Sequence, residues 1–201
     1  MQILNRALFT ALVASFISVT GSAQAQVDFN ESSFGGDFSN VASAPTDLGS
    51  LGVGVSNIIG TSQSGNADRD HVTFTIDPGF EITSVQITDF DPSAGNGSFL
   101  GLAAGDTVPG AGSDFLFAGL VNIGETDAPL ELLGGSGGGF GGAGVPAILG
   151  PGDYAFLFNE VGAVNANYTA QITVASTVPE PSSAIVLAGL GMFAARRRRK
   201  N

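Results

Sequence analysis

The feature that most limits how this chain can fold is a recurrence of short apolar-polar alternations separated by turn residues. In the clearest of them, Val72, Phe74 and Ile76 alternate with polar residues, which is the period of a strand with one buried face. Glycine and proline stand between such segments, and no stretch between the two chain ends keeps a helical period. We therefore expect an all-β fold in which two sheets pack as a sandwich.

The clearest alternation also predicts a connection. Residues 71–76 and 80–87 are separated by an Asp-Pro-Gly turn, which favours a hairpin between the two strands. The apolar positions of the second strand change parity along its length. A β-bulge is therefore expected near Thr83 or Ser84, where one extra residue would re-aim the side chains.

The remaining strand signals are weaker. Residues 27–47 favour an irregular segment with one edge strand, and further strands are expected at 51–59, 98–103 and 114–121. Residues 154–158 and 168–174 both alternate strongly, which predicts a second hairpin. Residues 134–144 are mostly glycine and lack the lysine of a phosphate-binding loop, so a flexible surface loop is expected.

The charge of the central segment, residues 26–181, limits its partners. It holds all 18 acidic residues of the chain and one basic residue, Arg69, which gives a formal charge of −17. This acidity argues against nucleic acid and anionic lipid as partners. Divalent cations are natural counterions, although solubility outside the cell explains the same charge equally well. Since the chain has no cysteine, disulfides and thiolate metal sites are excluded.

Two pairs of neighbouring aspartates are candidate calcium ligands. They are Asp68 with Asp70 and Asp89 with Asp91, since oxygen ligands on short side chains suit Ca²⁺. The second pair begins like an EF-hand loop, but Leu100 stands where that loop needs a bidentate glutamate. Capping of turns is the favoured interpretation of the same aspartates. No other cofactor is expected.

Catalytic residues do not stand out in the sequence. The single histidine, His71, adjoins Asp70 and is expected on the outward face of its strand. No serine lies in a Gly-x-Ser-x-Gly turn before a helix, and no pair of carboxylates is singled out for glycoside hydrolysis. We therefore expect a protein that is not an enzyme, with a secreted hydrolase as the less favoured alternative.

The N-terminal residues 1–25 have the pattern of a signal peptide with one apolar helix. Arg6 precedes the apolar residues 7–19, and the small residues Ala23 and Ala25 predict a cleavage site. The mature chain is expected to begin at Gln26 after export by the general secretory route. The exported domain would then span residues 26–177.

The last 24 residues, 178–201, combine three elements in order. The motif Val178, Pro179, Glu180 and Pro181 comes first. An apolar run of fourteen residues, 182–195, follows and predicts a helix, but a stable transmembrane helix needs roughly 20 residues. Five cations then stay on the cytoplasmic side and stop transfer of the chain, namely Arg196, Arg197, Arg198, Arg199 and Lys200. A temporary tether in the inner membrane is therefore favoured over a plain tail anchor.

These three elements together resemble the PEP-CTERM protein-sorting tail of Gram-negative bacteria. The resemblance implies that an exosortase, a membrane transpeptidase-like enzyme, recognises Pro179, Glu180 and Pro181 and cuts the tail. It also implies a cell that makes extracellular polysaccharide. We expect an exported protein of the cell surface or extracellular matrix, with a non-catalytic structural or adhesive role associated with exopolysaccharide. A calcium- or carbohydrate-binding module is the alternative.

The central domain has a second resemblance. The alternation at 68–76 with its Pro-Gly turn, the tripeptide Gly152-Asp153-Tyr154 and the strand at 168–172 are together similar to the bacterial pre-peptidase C-terminal domain. That family implies a small, jelly-roll-like β-sandwich that accompanies secreted enzymes and surface proteins. The glycine-rich residues 134–144 depart from its pattern.

Overall fold

A computed structural model describes residues 25–62, 68–92, 98–121, 129–136, 138–160 and 166–177. In these ranges ten strands form two five-stranded sheets that pack as a sandwich, which confirms the predicted fold class. The strands are β1 (Ala25–Asn30), β2 (Thr46–Ser50), β3 (Gly54–Ser62), β4 (Arg69–Ile76), β5 (Phe80–Pro92), β6 (Ser98–Ala104), β7 (Phe117–Val121), β8 (Leu130–Glu131), β9 (Gly152–Glu160) and β10 (Ala166–Ser176). The predicted terminal helices lie outside the described residues.

The first sheet has the strand order β1-β3-β10-β5-β8, and the second has the order β2-β4-β9-β6-β7. β1 runs parallel to β3 and β2 runs parallel to β4, whereas the other pairs are antiparallel. The described part also contains two 3₁₀ turns, Glu31–Phe34 and Gly112–Asp114. No described helix is long and apolar enough to cross a membrane.

Both predicted hairpins are wrong. β4 pairs with β2 and β9 in the second sheet, whereas β5 pairs with β10 and β8 in the first sheet. β9 and β10 are likewise in different sheets. Alternation identifies the buried face of a strand but not its partner, and two strands that face one core from opposite sides show the same pattern.

The predicted bulge in β5 is confirmed. Thr173 of β10 pairs with Ser84 and the next residue, Val174, pairs with Ile82, so that Thr83 is skipped. A second irregularity skips Thr88 in the same way. Because each extra residue restores the inward parity, four apolar side chains of β5 are buried, namely Ile82, Val85, Ile87 and Phe90.

The core lies between the sheets and includes an aromatic contact that joins them. The ring of Tyr168 on β10 stacks on that of Phe158 on β9, with 3.9 Å between their centroids. Both side chains are almost completely buried, at 1% and 0% exposed. Gly60 of β3 makes room for this ring, because a Cβ there would lie 2.6 Å from the hydroxyl of Tyr168.

The other predicted segments are placed with shifted bounds. The expected edge strand is β1, and the strand expected at 51–59 begins instead at Gly54, in β3. β7 begins three residues later than expected because Gly112–Asp114 forms a 3₁₀ turn. The glycine-rich segment forms backbone hydrogen bonds with residues 115–118, as in the 3.0 Å bond from Phe140 to Ala118. The flexibility of this segment stays a prediction.

Candidate functional site

Four carboxyl side chains meet at one edge of the sandwich. We call them the acidic corner: Glu31, Asp37, Asp68 and Asp70. Glu31 begins the first 3₁₀ turn, Asp37 lies in the loop after it, and Asp70 lies in β4. One carboxylate oxygen from each of these three residues lies within 4.8 Å of the others. The carboxyl of Asp68 is within hydrogen-bonding reach of that of Asp37.

Local structure explains how the segment 30–40 reaches β4. Asn30 caps the 3₁₀ turn, since its Oδ1 accepts a hydrogen bond of 3.0 Å from the Ser32 amide. Gly35 and Gly36 then take the left-handed conformation, with φ of 92° and 105°, and turn the chain. The buried ring of Phe38 holds the segment against the core. Asp37 is consequently held beside β4.

Glu31 also links the acidic corner to the first sheet. Its Oε2 accepts a hydrogen bond of 2.9 Å from the amide of Thr61, and its Oε1 accepts one of 2.7 Å from the Thr61 hydroxyl. Thr61 lies near the end of β3, in the first sheet, whereas Asp70 belongs to the second. The corner therefore spans the gap between the two sheets.

Asp70 is the most deeply buried member, at 1% exposed. Its Oδ2 accepts a hydrogen bond of 2.8 Å from the Tyr168 hydroxyl, and its Oδ1 has no partner within the described ranges. The pKa of Asp70 is raised to about 8, first by burial and then by the negative charges of the other three members, which together outweigh the lowering effect of the Tyr168 hydrogen bond. This carboxyl therefore lacks the donors that its ionised form requires.

Asp68 shows the same effect more weakly. Burial is the first cause that raises its pKa to about 6, followed by the charges of Asp37 and Glu31. Its Oδ1 is buried and, like that of Asp70, has no hydrogen-bond partner among the residues described. Two unpartnered carboxylate oxygens thus lie in one acidic cluster.

The sequence predicts His71 on the outward face of its strand, and the expected exposure there is wrong, since its side chain is 3% exposed. Ser39 forms a β-bridge with His71, and the Ser39 carbonyl oxygen lies 3.0 Å from His71 Nδ1. The loop around Ser39 therefore covers what would otherwise be the outer face of β4. Burial lowers the pKa of His71, which favours the neutral ring.

The structure separates the two predicted aspartate pairs. Asp68 and Asp70 lie together in the acidic corner, whereas Asp89 is exposed on β5 and Asp91 pairs with Asn167 through its backbone. The side chain of Asp91 lies outside the described set. Glu31 and Asp37 were not predicted as ligands, because only the pairing of β1 with β3 and the loop over β4 bring them near Asp70.

A second acidic surface is a shallow concavity of about 390 Å³ on the second sheet. It is lined by Pro45, Asp47, Thr73, Phe74, Thr75, Asp106 and Asp153. Asp153 accepts a hydrogen bond of 2.7 Å from the Thr75 hydroxyl. The ring of Phe74 is only 1% exposed and stacks on Tyr154, so that it offers no face to a ligand.

The predicted sorting and cleavage residues lie outside the residues that the structure describes, with one exception. The backbone of Ala25 begins β1, but its side chain is not described. The others are Ala23, Val178, Pro179, Glu180, Pro181, Arg196, Arg197, Arg198, Arg199 and Lys200. Their assignment therefore depends on the sequence and on comparison with known families.

Comparison with known proteins identifies the C-terminal tail. No curated protein and no solved structure matches the chain, and the resemblance to the pre-peptidase C-terminal domain stays a prediction. Residues 177–200 match the family described as the PEP-CTERM protein-sorting motif. That motif is a substrate tag for exosortase and implies export with membrane-associated sorting. The chain therefore carries a PEP-CTERM protein-sorting motif over residues 177–200.

Proposed function

We propose that this protein is a non-catalytic β-sandwich with a structural or adhesive role in an exopolysaccharide-rich coat, to which its sorting tail delivers it. The observation that carries the proposal is the attachment of the sorting motif at 177–200 to a single sandwich domain. Delivery to the cell envelope or the extracellular matrix follows from processing of that tail after export.

The charge of the sandwich supports an extracellular structural role. Residues 26–181 hold 18 acidic residues against Arg69, so copies of the domain repel one another and polyanions. Such a surface stays soluble outside the cell, and it interacts with acidic polysaccharide only through a bridging cation. The tail is the positively charged part of the chain, and its processing would leave the acidic domain.

The environment of His71 supports a role without catalysis. The chain has no other histidine, and this ring is buried with its Nδ1 against the Ser39 carbonyl. A general base must reach the proton that it removes, and the covering loop keeps this imidazole from a surface ligand. A histidine-based hydrolase is therefore disfavoured.

The concavity favours a second candidate, a carbohydrate-binding module. Asp47, Asp106 and Asp153 are acceptors that suit sugar hydroxyls. Sugar sites commonly add an apolar or aromatic surface, and Phe74 is turned into the core here. A glycan array with the wild-type chain and the Asp153→Ala variant tests this candidate. Binding of a defined oligosaccharide that the variant loses would favour it over a purely structural role.

The sorting part of the proposal is tested by mass spectrometry of the chain produced in an exosortase-containing host. The wild-type chain should be released into the matrix fraction without its C-terminal peptide. Replacement of Pro179, Glu180 and Pro181 by alanine should keep the tail attached and the chain in the membrane fraction. Asp89→Asn, an exposed change in the sandwich, is the matched control and should be processed normally.

An intact C-terminus through Asn201 in every wild-type fraction would instead favour a permanent anchor.

The structural role is tested separately by co-sedimentation of the released protein with the exopolysaccharide of the host. Loss of the protein from the matrix fraction when polysaccharide synthesis is deleted supports the role. Unchanged matrix retention in the deletion strain contradicts it.

A further inference from the structure

We infer that the acidic corner is a calcium-binding site, with Glu31, Asp37 and Asp70 as ligands and Asp68 beside them. This goes beyond the proposed function, which names neither the cation nor the residues that would bind it. The three nearest oxygens of the ligands lie within 4.8 Å of one another. Two oxygens that each lie about 2.4 Å from one Ca²⁺ can be at most about 4.8 Å apart. The spacing therefore allows one ion to contact all three oxygens.

The burial of Asp70 is a second observation, independent of this spacing. Its side chain is 1% exposed, and its Oδ1 has no hydrogen-bond partner in the part of the chain described. A buried carboxylate with a single donor, here the Tyr168 hydroxyl, is costly to ionise unless a cation compensates its charge. The charged neighbours that act on Asp70 are all acidic, namely Glu31, Asp37 and Asp68. A bound divalent cation supplies the missing positive charge.

The available ligands favour calcium over other metals. All four side chains of the corner offer carboxylate oxygens, and the chain has no cysteine. His71, next to Asp70, has its Nδ1 against the Ser39 carbonyl. Carboxylate-only sites suit hard cations. Ca²⁺ accepts six to eight oxygens in irregular arrangements, whereas Mg²⁺ demands an octahedron and keeps several waters. Ligands collected from a loop, a 3₁₀ turn and a strand fit the more tolerant ion.

An ion here would link parts of the fold that are distant in sequence. Glu31 already accepts a hydrogen bond from Thr61 of β3, in the first sheet, and Asp70 belongs to β4, in the second. Tyr168 of β10 contacts Asp70 from 98 positions away. Calcium would hold the segment 31–37 onto β4 and replace repulsion between carboxylates by shared coordination. The folded state should therefore gain stability from calcium.

The first test uses the full-length chain in a mild detergent, stripped with a chelator and titrated with CaCl₂. Calorimetry should show saturable binding, and circular dichroism should show a melting temperature that rises by about 5–10 °C at a hundredfold excess over Kd. MgCl₂ at equal concentration should raise it less. An absence of both binding heat and thermal shift with calcium overturns the inference, and an equal shift with magnesium overturns the choice of calcium.

Three variants locate the ion. Asp70→Asn should abolish the thermal shift, and Asp37→Asn should weaken binding at least about tenfold, since each removes one charged ligand. Asp37 is exposed, so its replacement leaves the core intact and keeps the test valid if the Asp70 variant folds poorly. Asp89→Asn on exposed β5 is the control and should bind as the wild type does. Wild-type affinity in the Asp37 and Asp70 variants contradicts the site.

Terbium gives a positional readout, because Tb³⁺ replaces Ca²⁺ at oxygen sites and emits when an adjacent tyrosine is excited. The chain has no tryptophan and two tyrosines, of which Tyr168 donates a hydrogen bond to Asp70. Tyr154 instead donates to the Gly150 carbonyl. Tyr168→Phe should remove most of the sensitised emission, whereas Tyr154→Phe should keep it. Emission that depends on Tyr154 alone would place the ion elsewhere and overturn the assignment.

Discussion

The acidic corner and Glu131 hold carboxylates in opposite ways. Glu131, on the edge strand β8, accepts hydrogen bonds from the Ser84 hydroxyl and from the amides of Val85 and Leu133, at 2.5, 3.0 and 2.9 Å. Partial burial raises its pKa, but these bonds outweigh burial and the net pKa is lowered. Asp70 receives one such bond and its pKa is raised.

The difference shows that the number of donors, rather than burial alone, decides whether a carboxylate stabilises a fold. Glu131 joins β8 to β5 with donors that the protein itself supplies. In the acidic corner, Asp68 and Asp70 each keep a buried oxygen without a donor in the described part of the chain, so that their ionised forms depend on a partner from solution. Glu131 therefore acts as a structural clamp between two strands, whereas the acidic corner is suited to bind a cation.

Replacement of Tyr168, which donates to Asp70 in the acidic corner, should cause the largest loss of stability. Tyr168→Ala removes a fully buried ring and its stack on Phe158, and should lower the free energy of unfolding by about 3–5 kcal/mol. Tyr168→Phe keeps the ring and removes the only donor to Asp70 Oδ2 in the described part of the chain, for a loss of about 1–3 kcal/mol. Urea unfolding measures both changes.

The matched control for these variants is Phe140→Ala, because Phe140 is 52% exposed. It should cost less than about 1 kcal/mol, as expected for a surface change. Equal losses for Phe140→Ala and Tyr168→Ala would contradict the placement of the core.

Removal of the Glu131 clamp should have the next largest effect. Glu131→Ala leaves the amides of Val85 and Leu133 without their acceptor and should cost about 1–2 kcal/mol, a value kept low because the side chain is exposed. Chemical denaturation of the variant beside Asp89→Asn, whose side chain is also exposed, measures the loss. A variant as stable as wild type would show that the clamp is redundant.

Acid should abolish the advantage that Glu131 provides. Its pKa is lower in the folded state than the ordinary value of 4.5, so its stabilisation is present above pH 4.5 and is lost as the pH falls through the folded pKa. The difference in unfolding free energy between wild type and Glu131→Gln should therefore shrink between pH 6 and pH 3, by less than about 1 kcal/mol. A difference that grows on acidification would reverse the assigned sign.

The smallest effect is expected for Asp70→Asn in the presence of a chelator. With no ion bound, a pKa of about 8 leaves most of the Asp70 carboxyl neutral at pH 7, and asparagine keeps an oxygen that can accept from Tyr168, so stability should change by less than about 1 kcal/mol. Thermal melts with EDTA at pH 7 measure this. A loss as large as that of Tyr168→Ala would mean that the charge of Asp70 already has an internal partner, and it would remove the contrast with Glu131.

Sequence patterns predicted the buried faces of the strands and the bulge, but not which strands are neighbours. The change of parity between Ile82 and Val85 is visible within a few residues of sequence, and it predicted the bulge that the structure has at Thr83. The pairing of β4 with β9 and of β5 with β10 joins residues far apart in the chain, and alternation carries no information on it. The hairpin predictions failed for that reason.

Only two of the four residues of the acidic corner could be predicted, because sequence patterns do not show which distant segments are neighbours in the fold. Asp68 and Asp70 share a strand face by their spacing of two residues, and this was visible in the sequence. Asp89 and Asp91 have the same spacing, yet within the described ranges no group of acids that could hold an ion forms around Asp89. Glu31 and Asp37 reach Asp70 only through the tertiary path of residues 30–40, for which the sequence holds no local signal.

The position of β10 has a consequence for how the chain folds. β10 lies between β3 and β5, and its Tyr168 contacts Asp70 across 98 residues, so the centre of the first sheet cannot close until most of the chain is available. Folds dominated by such distant pairings typically form in about milliseconds to seconds, because large loops must be closed first. Late closure keeps the nascent chain unfolded for longer, which suits a protein that must be threaded through a membrane before it folds.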